Sequence, residues 1–293
     1  MDRRDFLRRS LLGLAGAAVG SNVLTSLAEA KTAAPGKKDK KIGLQLYSLR
    51  DAMKKDPEAT LKAIAAMGYS TLEAANYADG KMYGYAPAEF RKLVEGLGMS
   101  MSSCHIKNDI SVTEKFDDSV AWWDKALDDQ IAMGCRYAIQ PVMKVGDKLD
   151  EIKKYCDYFN AIGEMANRKG IRFGFHNHAR EFAVVEGEVV YDYLINNTSL
   201  ASVFYEMDVY WVDKGGKSPV EYLNKYAGRF PVLHIKDEDI IGASGVLDFK
   251  AIFEAAYKQG MKDYYVEIEQ YPQPAEICAA RSFDYLNAAK FVK

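Results

Sequence analysis

Cysteine, histidine and net charge are all scarce in this chain of 293 residues, which has four Cys, four His and a formal charge of −2. Cys104, Cys135, Cys156 and Cys278 form no C-x-x-C pair and no dense framework. They are expected to be buried, unpaired thiols of a protein folded in a reducing compartment, not a disulfide scaffold. Lys and Arg number 39 against 41 Asp and Glu. That balance excludes a strongly basic nucleic-acid binder and an acidic disordered tail. What is present instead is core material. Apolar residues make up 48%, with 19 Tyr and 13 Phe, the composition of a globular protein with a sizeable interior.

A long hydrophobic run is also missing. The apolar stretch from Leu11 to Leu24 is too short and too rich in Gly and Ala to span a bilayer stably. It follows a basic start and precedes Ala28-Glu-Ala30, the order of parts in an export signal. Arg3-Arg4 followed by Asp5-Phe-Leu-Arg8 resembles the twin-arginine motif; a Sec-type signal with incidental arginines is the alternative. The expectation is a signal over residues 1–30, a flexible polar lead-in over 31–40, and a periplasmic mature protein. No Cys lies near the cleavage site, so no lipid anchor is expected once the signal is cut.

From Lys41 onward a β-rich run, a polar turn, a helix-period stretch and a Gly recur. Eight strands are predicted: Ile42–Ser48, Thr71–Asn76, Met99–Lys107, Arg136–Met143, Ile171–His178, Ser202–Tyr210, Pro231–Lys236 and Tyr264–Gln270. Gly68, Gly98, Gly134, Gly170, Gly228 and Gly260 follow most of the intervening helices, where a left-handed cap turns the chain back. Eight βα units in about 250 residues predict a single parallel (β/α)8 TIM barrel. A doubly wound sheet is disfavoured, because Tyr47-Ser-Leu-Arg-Asp51 stands where its Gly-rich phosphate loop would be. No Pro/Ser-rich linker divides residues 41–293.

Every histidine falls in a predicted strand, toward its C-terminal end, which in such a barrel is the active-site rim. His105 ends the third strand, His176 and His178 end the fifth, and His234 lies in the seventh. Glu206 and Asp208 share the sixth strand; Glu267 and Glu269 share the eighth. Residues two apart share a face, so each pair can point inward together. Two imidazoles and two carboxylates converging from strands five to eight make a candidate cage for Mn, Zn, Co or Fe. A half-buried strand His with one hydrogen bond is the plainer reading of any one of them, but four at one rim are hard to explain that way.

Ile42-Gly-Leu-Gln-Leu-Tyr-Ser-Leu-Arg-Asp51, Phe173-Gly-Phe-His-Asn-His178, Asp208-Val-Tyr-Trp211, His234-Ile-Lys-Asp237 and Val266-Glu-Ile-Glu-Gln270 resemble the xylose isomerase-like TIM barrels. The branch they are most similar to is the sugar phosphate isomerase/epimerase group, which includes tagatose-type epimerases and inosose dehydratases. The resemblance implies a divalent metal held by residues of strands five to eight. It maps the metal to Asp208, His234, Glu269 (with Glu267 as the alternative) and His178 (with His176 as the alternative). It also implies abstraction of a proton α to a carbonyl in a sugar or polyol. His176 is the expected base, Glu73 and His105 the expected opposite wall, and Lys236 a group to hold or polarise a substrate oxygen. Glu267, if not a ligand, is a further catalytic candidate. Tyr47 and Trp211 are candidates to stack on a sugar ring; for Trp122 and Trp123 helix packing is expected.

The resemblance is incomplete in two respects, and one is that Asp208-x-x-Trp211 stands where the group has Asp-x-x-His, without its substrate-binding imidazole. Ketose epimerases of the group place Glu on strand five and work through two metal-bound glutamates, whereas His176 and His178 stand there in this chain. Isomerisation or epimerisation is the expected reaction, and elimination of a β-substituent by a lyase or dehydratase is the alternative. A non-catalytic periplasmic sugar-binding barrel is the alternative of another class. Export argues against a phosphorylated substrate, and the sequence leaves a homo-oligomer open.

Overall fold

The computed structural model describes residues 40–293. The expected export signal and nearly all of the lead-in lie outside the described residues. Eight parallel strands close into a barrel: β1 Gly43–Gln45, β2 Thr71–Ala74, β3 Ser100–His105, β4 Tyr137–Gln140, β5 Arg172–His176, β6 Val203–Asp208, β7 Val232–Lys236 and β8 Asp263–Glu267. Each strand pairs with its sequence neighbours, and β8 returns to β1 with Gly43 opposite Tyr265. The predicted TIM barrel is the observed fold.

Helices return the chain from the top of each strand to the bottom of the next, and their ends follow the local chemistry. In helix Pro57–Met67, Asp56 caps the start by accepting from Ala59 N at 3.0 Å, and Pro57 occupies the first turn. Gly68 ends it at φ 109°, a left-handed conformation that a side chain would strain. Helix Leu149–Lys169 buries Ile152, Cys156, Phe159, Ile162, Gly163 and Ala166 along one face. Gly163 is where it meets β6 most closely, since a Cβ there would lie 2.3 Å from the Ser202 carbonyl oxygen.

Two apolar layers result. The larger fills the space between strands and helices. The smaller, Tyr137, Ile139, Phe204, Val232 and Tyr265, plugs the barrel interior. Its large rings fit because two facing positions have no side chain. A Cβ on Gly43 would come within 2.5 Å of the Tyr265 ring, and one on Gly174 within 2.6 Å of Phe204. Above this plug the interior turns polar, and the site begins there. All four cysteines are buried and free, as expected. Among the described residues no helix is long and apolar enough to cross a membrane.

The strands stop earlier than their sequences suggest. Seven of the eight end two or three residues short of the predicted limit; only β7 ends at Lys236 as expected. Trp123 is buried and donates from Nε1 to the Tyr158 hydroxyl at 2.6 Å, while Trp122 packs edge-on against it and Tyr77. Both serve helix packing.

Candidate active site and metal centre

A cavity of about 870 Å³ opens over the C-terminal ends of the strands, with Tyr47, His105, His176, His178, Glu267 and Glu269 in its walls. His176 and Glu267, which line it, and the fully buried Asp208 and His234 each offer a ligand atom, and these four atoms lie within 4.8 Å of one another. They come from the last residues of β5, β6 and β8 and from the middle of β7. All four residues are buried.

Polar atoms without partners mark the centre of this group. Asp208 Oδ1 accepts from Trp211 N at 2.9 Å, but Oδ2, equally buried, has no hydrogen bond. His234 Nδ1 also has none, although it lies 3.4 Å from a Glu267 oxygen. Leaving such atoms unpaired in a barrel interior costs roughly 1–3 kcal/mol each. Two imidazole nitrogens and two carboxylates suit Mn, Zn, Co or Fe, and a divalent ion would balance the two acids. The residues present therefore fit a divalent cation.

The electrostatics agree. Burial pushes the Asp208 carboxyl up to about 8, against the pull of Lys236. Burial and the neighbouring imidazoles hold His176 well below its ordinary value, so it is neutral with a free lone pair. For His234 burial is outweighed by Glu206, Glu267 and Glu73, which raise it. For Glu267 burial is likewise outweighed, by His234 and Lys236, which lower it.

The expected ligands His178 and Glu269 lie outside this group. The reason is the early end of the strands. Two-residue alternation places His178 beside His176 and Glu269 beside Glu267 only while the strand continues, and β5 and β8 stop at His176 and Glu267. Glu269 instead sits 3.0 Å from Lys236 Nζ. His178 lines the cavity with its ring 5.7 Å from Trp211, and its backbone N–H donates to Glu181 Oε2 at 2.7 Å. Burial holds this imidazole down at about 4. Lys236 Nζ, paired with Glu269, also lies 5.6 and 5.7 Å from the ring centres of Tyr210 and Trp211.

His176, expected as the base, is one of the four residues whose ligand atoms converge. Glu73, expected on the cavity wall, is fully buried below it and accepts from Gln45 Nε2 at 2.8 Å and Ser103 Oγ at 2.5 Å. His105 keeps its place on the cavity wall, and Tyr47 is exposed at the mouth with the Arg50 guanidinium 4.8 Å over its ring.

Two residues given no role from the sequence help build the site. Glu206 is fully buried, with Oε2 2.7 Å from His105 Nε2 and 3.2 Å from His176 Nδ1. Its signal was present, two residues before Asp208 on the same face. Asn177 Oδ1 accepts from Asp208 N and from the Tyr191 hydroxyl, both at 3.1 Å, and so fixes the end of β6 against β5. Nothing in the sequence marked it apart from its two histidine neighbours.

Residues 61–288 match the profile of the xylose isomerase-like TIM barrel family. A sugar phosphate isomerase/epimerase structure from Parabacteroides distasonis is 37% identical, with a TM-score of 0.82 over 87% of this chain and all of that one. A second structure so described from the same organism is 32% identical, with a TM-score of 0.85 over 89% of this chain and all of that one. An inosose dehydratase of Clostridium beijerinckii is 26% identical over 169 residues, 49% of this chain and 54% of that one. The match thus spans about half the length of this curated relative. Five motifs, a closed eight-stranded barrel and these likenesses lead to one conclusion: the chain belongs to the xylose isomerase-like TIM barrel family.

Proposed function

We propose that the protein is a divalent-metal-dependent enzyme that removes a proton α to a carbonyl in a sugar or polyol derivative. The observation that carries this reading is the convergence of His176, Asp208, His234 and Glu267, with unpartnered Asp208 Oδ2 and His234 Nδ1 among their atoms. A bound divalent ion would supply Lewis-acid polarisation of the substrate carbonyl.

The remaining roles follow from which side chains reach the cavity. His178 is outside the ligand group and stays neutral above about pH 4, so it is in the accepting form to take the carbon-bound proton. His105 is raised by Glu73 and Glu206 against the effect of burial, and so holds a proton it can offer to a substrate oxygen. The Lys236–Glu269 pair, beside the cavity, can orient a hydroxyl or carbonyl. Tyr47 gives the sugar ring an aromatic face at the cavity mouth, whereas Trp211 packs against His178, 5.7 Å between rings, and does not line the cavity. Reprotonation on carbon completes an isomerisation or epimerisation.

Elimination of a β-substituent is the second reading, and one observation favours it. β5 contributes the imidazole of His176 to the ligand group, so Glu267 is the group's only glutamate and no symmetric two-glutamate proton transfer is available. The inosose dehydratase likeness points the same way. The amino-terminal pattern supports export by the twin-arginine route and a reaction in the periplasm, which N-terminal sequencing of the secreted protein tests.

Metal analysis of the purified protein tests the main reading. Substoichiometric metal, with no activity gained on adding Mn, Co or Zn, would leave a sugar-binding barrel as the better account. Keto-sugars and keto-glycosides incubated in heavy water then separate the chemistries. Both exchange the α-proton, but only elimination releases water or an aglycone and leaves an unsaturated product.

A further inference from the structure

We propose that the buried glutamates Glu206 and Glu73 are positioning residues for the cation, each fixing one imidazole ligand from behind without binding the ion. The proposal rests on the ligand group assigned above. Glu206 Oε2 lies 3.2 Å from His176 Nδ1, and the other nitrogen, Nε2, makes no hydrogen bond among the described residues. Glu73 Oε1 lies 2.5 Å from His234 Nε2, and the unpartnered nitrogen of that ring is Nδ1. A neutral imidazole has one N–H and one lone pair. A carboxylate accepting the N–H therefore dictates which nitrogen is left for the ion. The two rings are held by opposite nitrogens, and the nearest acid differs: Glu206 for His176 Nδ1 and Glu73 for His234 Nε2.

His105 ties the two supports together. Its Nε2 lies 2.7 Å from Glu206 Oε2 and 3.2 Å from Glu73 Oε1. Gln45 and Ser103 fill the remaining positions on Glu73. Burying both carboxylates costs desolvation, which the imidazoles, Gln45 and Ser103 offset.

One feature argues for a different role. His105, His176, Glu206 and His234 also form a group whose ligand atoms lie within 4.8 Å, and Glu206 Oε1 has no partner. Glu206 would then be a ligand itself. The outer position is favoured because Asp208 and Glu267 supply charge there, Glu267 reaches the cavity, and Asp208 has an unused oxygen. In the inner group one oxygen of Glu206 already stands within 3.3 Å of all three imidazoles.

Glu206→Gln and Glu73→Gln decide between these positions. Each keeps the shape of the side chain and weakens its acceptor. Cobalt(II) is the probe, titrated against a chromophoric chelator, with the visible spectrum recorded and folding checked by circular dichroism. Each variant is expected to keep one equivalent of cobalt, to bind it about 10–100-fold more weakly, and to shift the absorption bands. Complete loss of cobalt from a folded Glu206→Gln protein would make Glu206 a ligand and overturn the proposal. Wild-type affinity in both variants would overturn it too. If either Gln variant does not fold, Glu206→Asp or Glu73→Asp is read by the same criteria. If the wild-type protein itself binds no cobalt, the metal-site reading has failed, a result distinct from any pattern among the variants.

Discussion

His105 and His234 stack, with ring centroids 5.0 Å apart and planes 15° from parallel, and both aim Nε2 at Glu73 and Glu206. Two rings from opposite sides of the barrel thus share one pair of acids. Removing either ring takes one imidazole partner from each of two buried carboxylates. His105→Phe keeps the ring volume but none of the charge or the N–H. The metal-free variant is expected to be about 3 kcal/mol less stable than wild type in urea unfolding. A loss well under 1 kcal/mol would mean the stack contributes packing alone.

Cation binding is expected to expel a proton. Burial raises Asp208 to about 8, so in the metal-free protein at pH 7 its carboxyl is mostly protonated. The ion requires the carboxylate. Calorimetric titrations at pH 7 in buffers of different ionisation enthalpy should give apparent enthalpies that differ by the heat of the released protons, because the raised imidazole of His234 must also be neutral to bind. Affinity should rise at least tenfold per pH unit between about pH 6 and about 8.

The same carboxyl links stability to pH. Its folded value stands above the ordinary 3.8, so the folded state holds a proton that the unfolded chain has released. That contribution to stability is fully present below 3.8 and is lost as pH rises through about 8. The melting temperature of the metal-free protein should carry this downward component between those limits, and the metal-loaded protein should lack it.

Substitutions can separate ligands from their neighbours. Asp208→Asn and His234→Ala should abolish tight metal binding. His178→Ala and Glu269→Gln should keep one equivalent of metal while turnover falls by two orders of magnitude or more for His178→Ala. Loss of metal from a folded His178→Ala protein would return that residue to the ligand group.

The interior plug offers a test that does not involve the metal. A methyl group on Gly174 would meet the Phe204 ring at 2.6 Å. Gly174→Ala should cost roughly 1–3 kcal/mol, and Phe204→Leu in the same chain should recover part of the loss. Strict additivity of the two changes would contradict the contact.

The number, order and parallel arrangement of the strands were legible because each unit is punctuated. A glycine follows each of six helices, and Gly68, Gly134, Gly170 and Gly260 are the left-handed caps expected of them. The upper ends of the strands have no comparable mark. After Gln45 and Glu267 the chain continues with Leu and Ile, residues that a strand also accepts. The sequence pattern therefore runs on past the point where hydrogen bonding stops. Carrying the alternation past His176 and Glu267 is what put His178 and Glu269 in the expected ligand set and left His176 for the base. Depth was equally hidden. Glu73 and His105 both end their predicted strands, but one is sealed beneath the cavity and the other lines it. Height along a barrel axis depends on the stagger between strands, which no single strand's pattern records.

β8 carries Glu267 and is also the strand that joins β1 to shut the ring. Completing the ligand group and sealing the seam are therefore one event. A growing chain that has not yet made its last sixth can present three of the four ligands but cannot enclose an ion among them. On the proposed metal reading, tight cation capture would report that the cylinder has closed, and the ion would stabilise only that finished state.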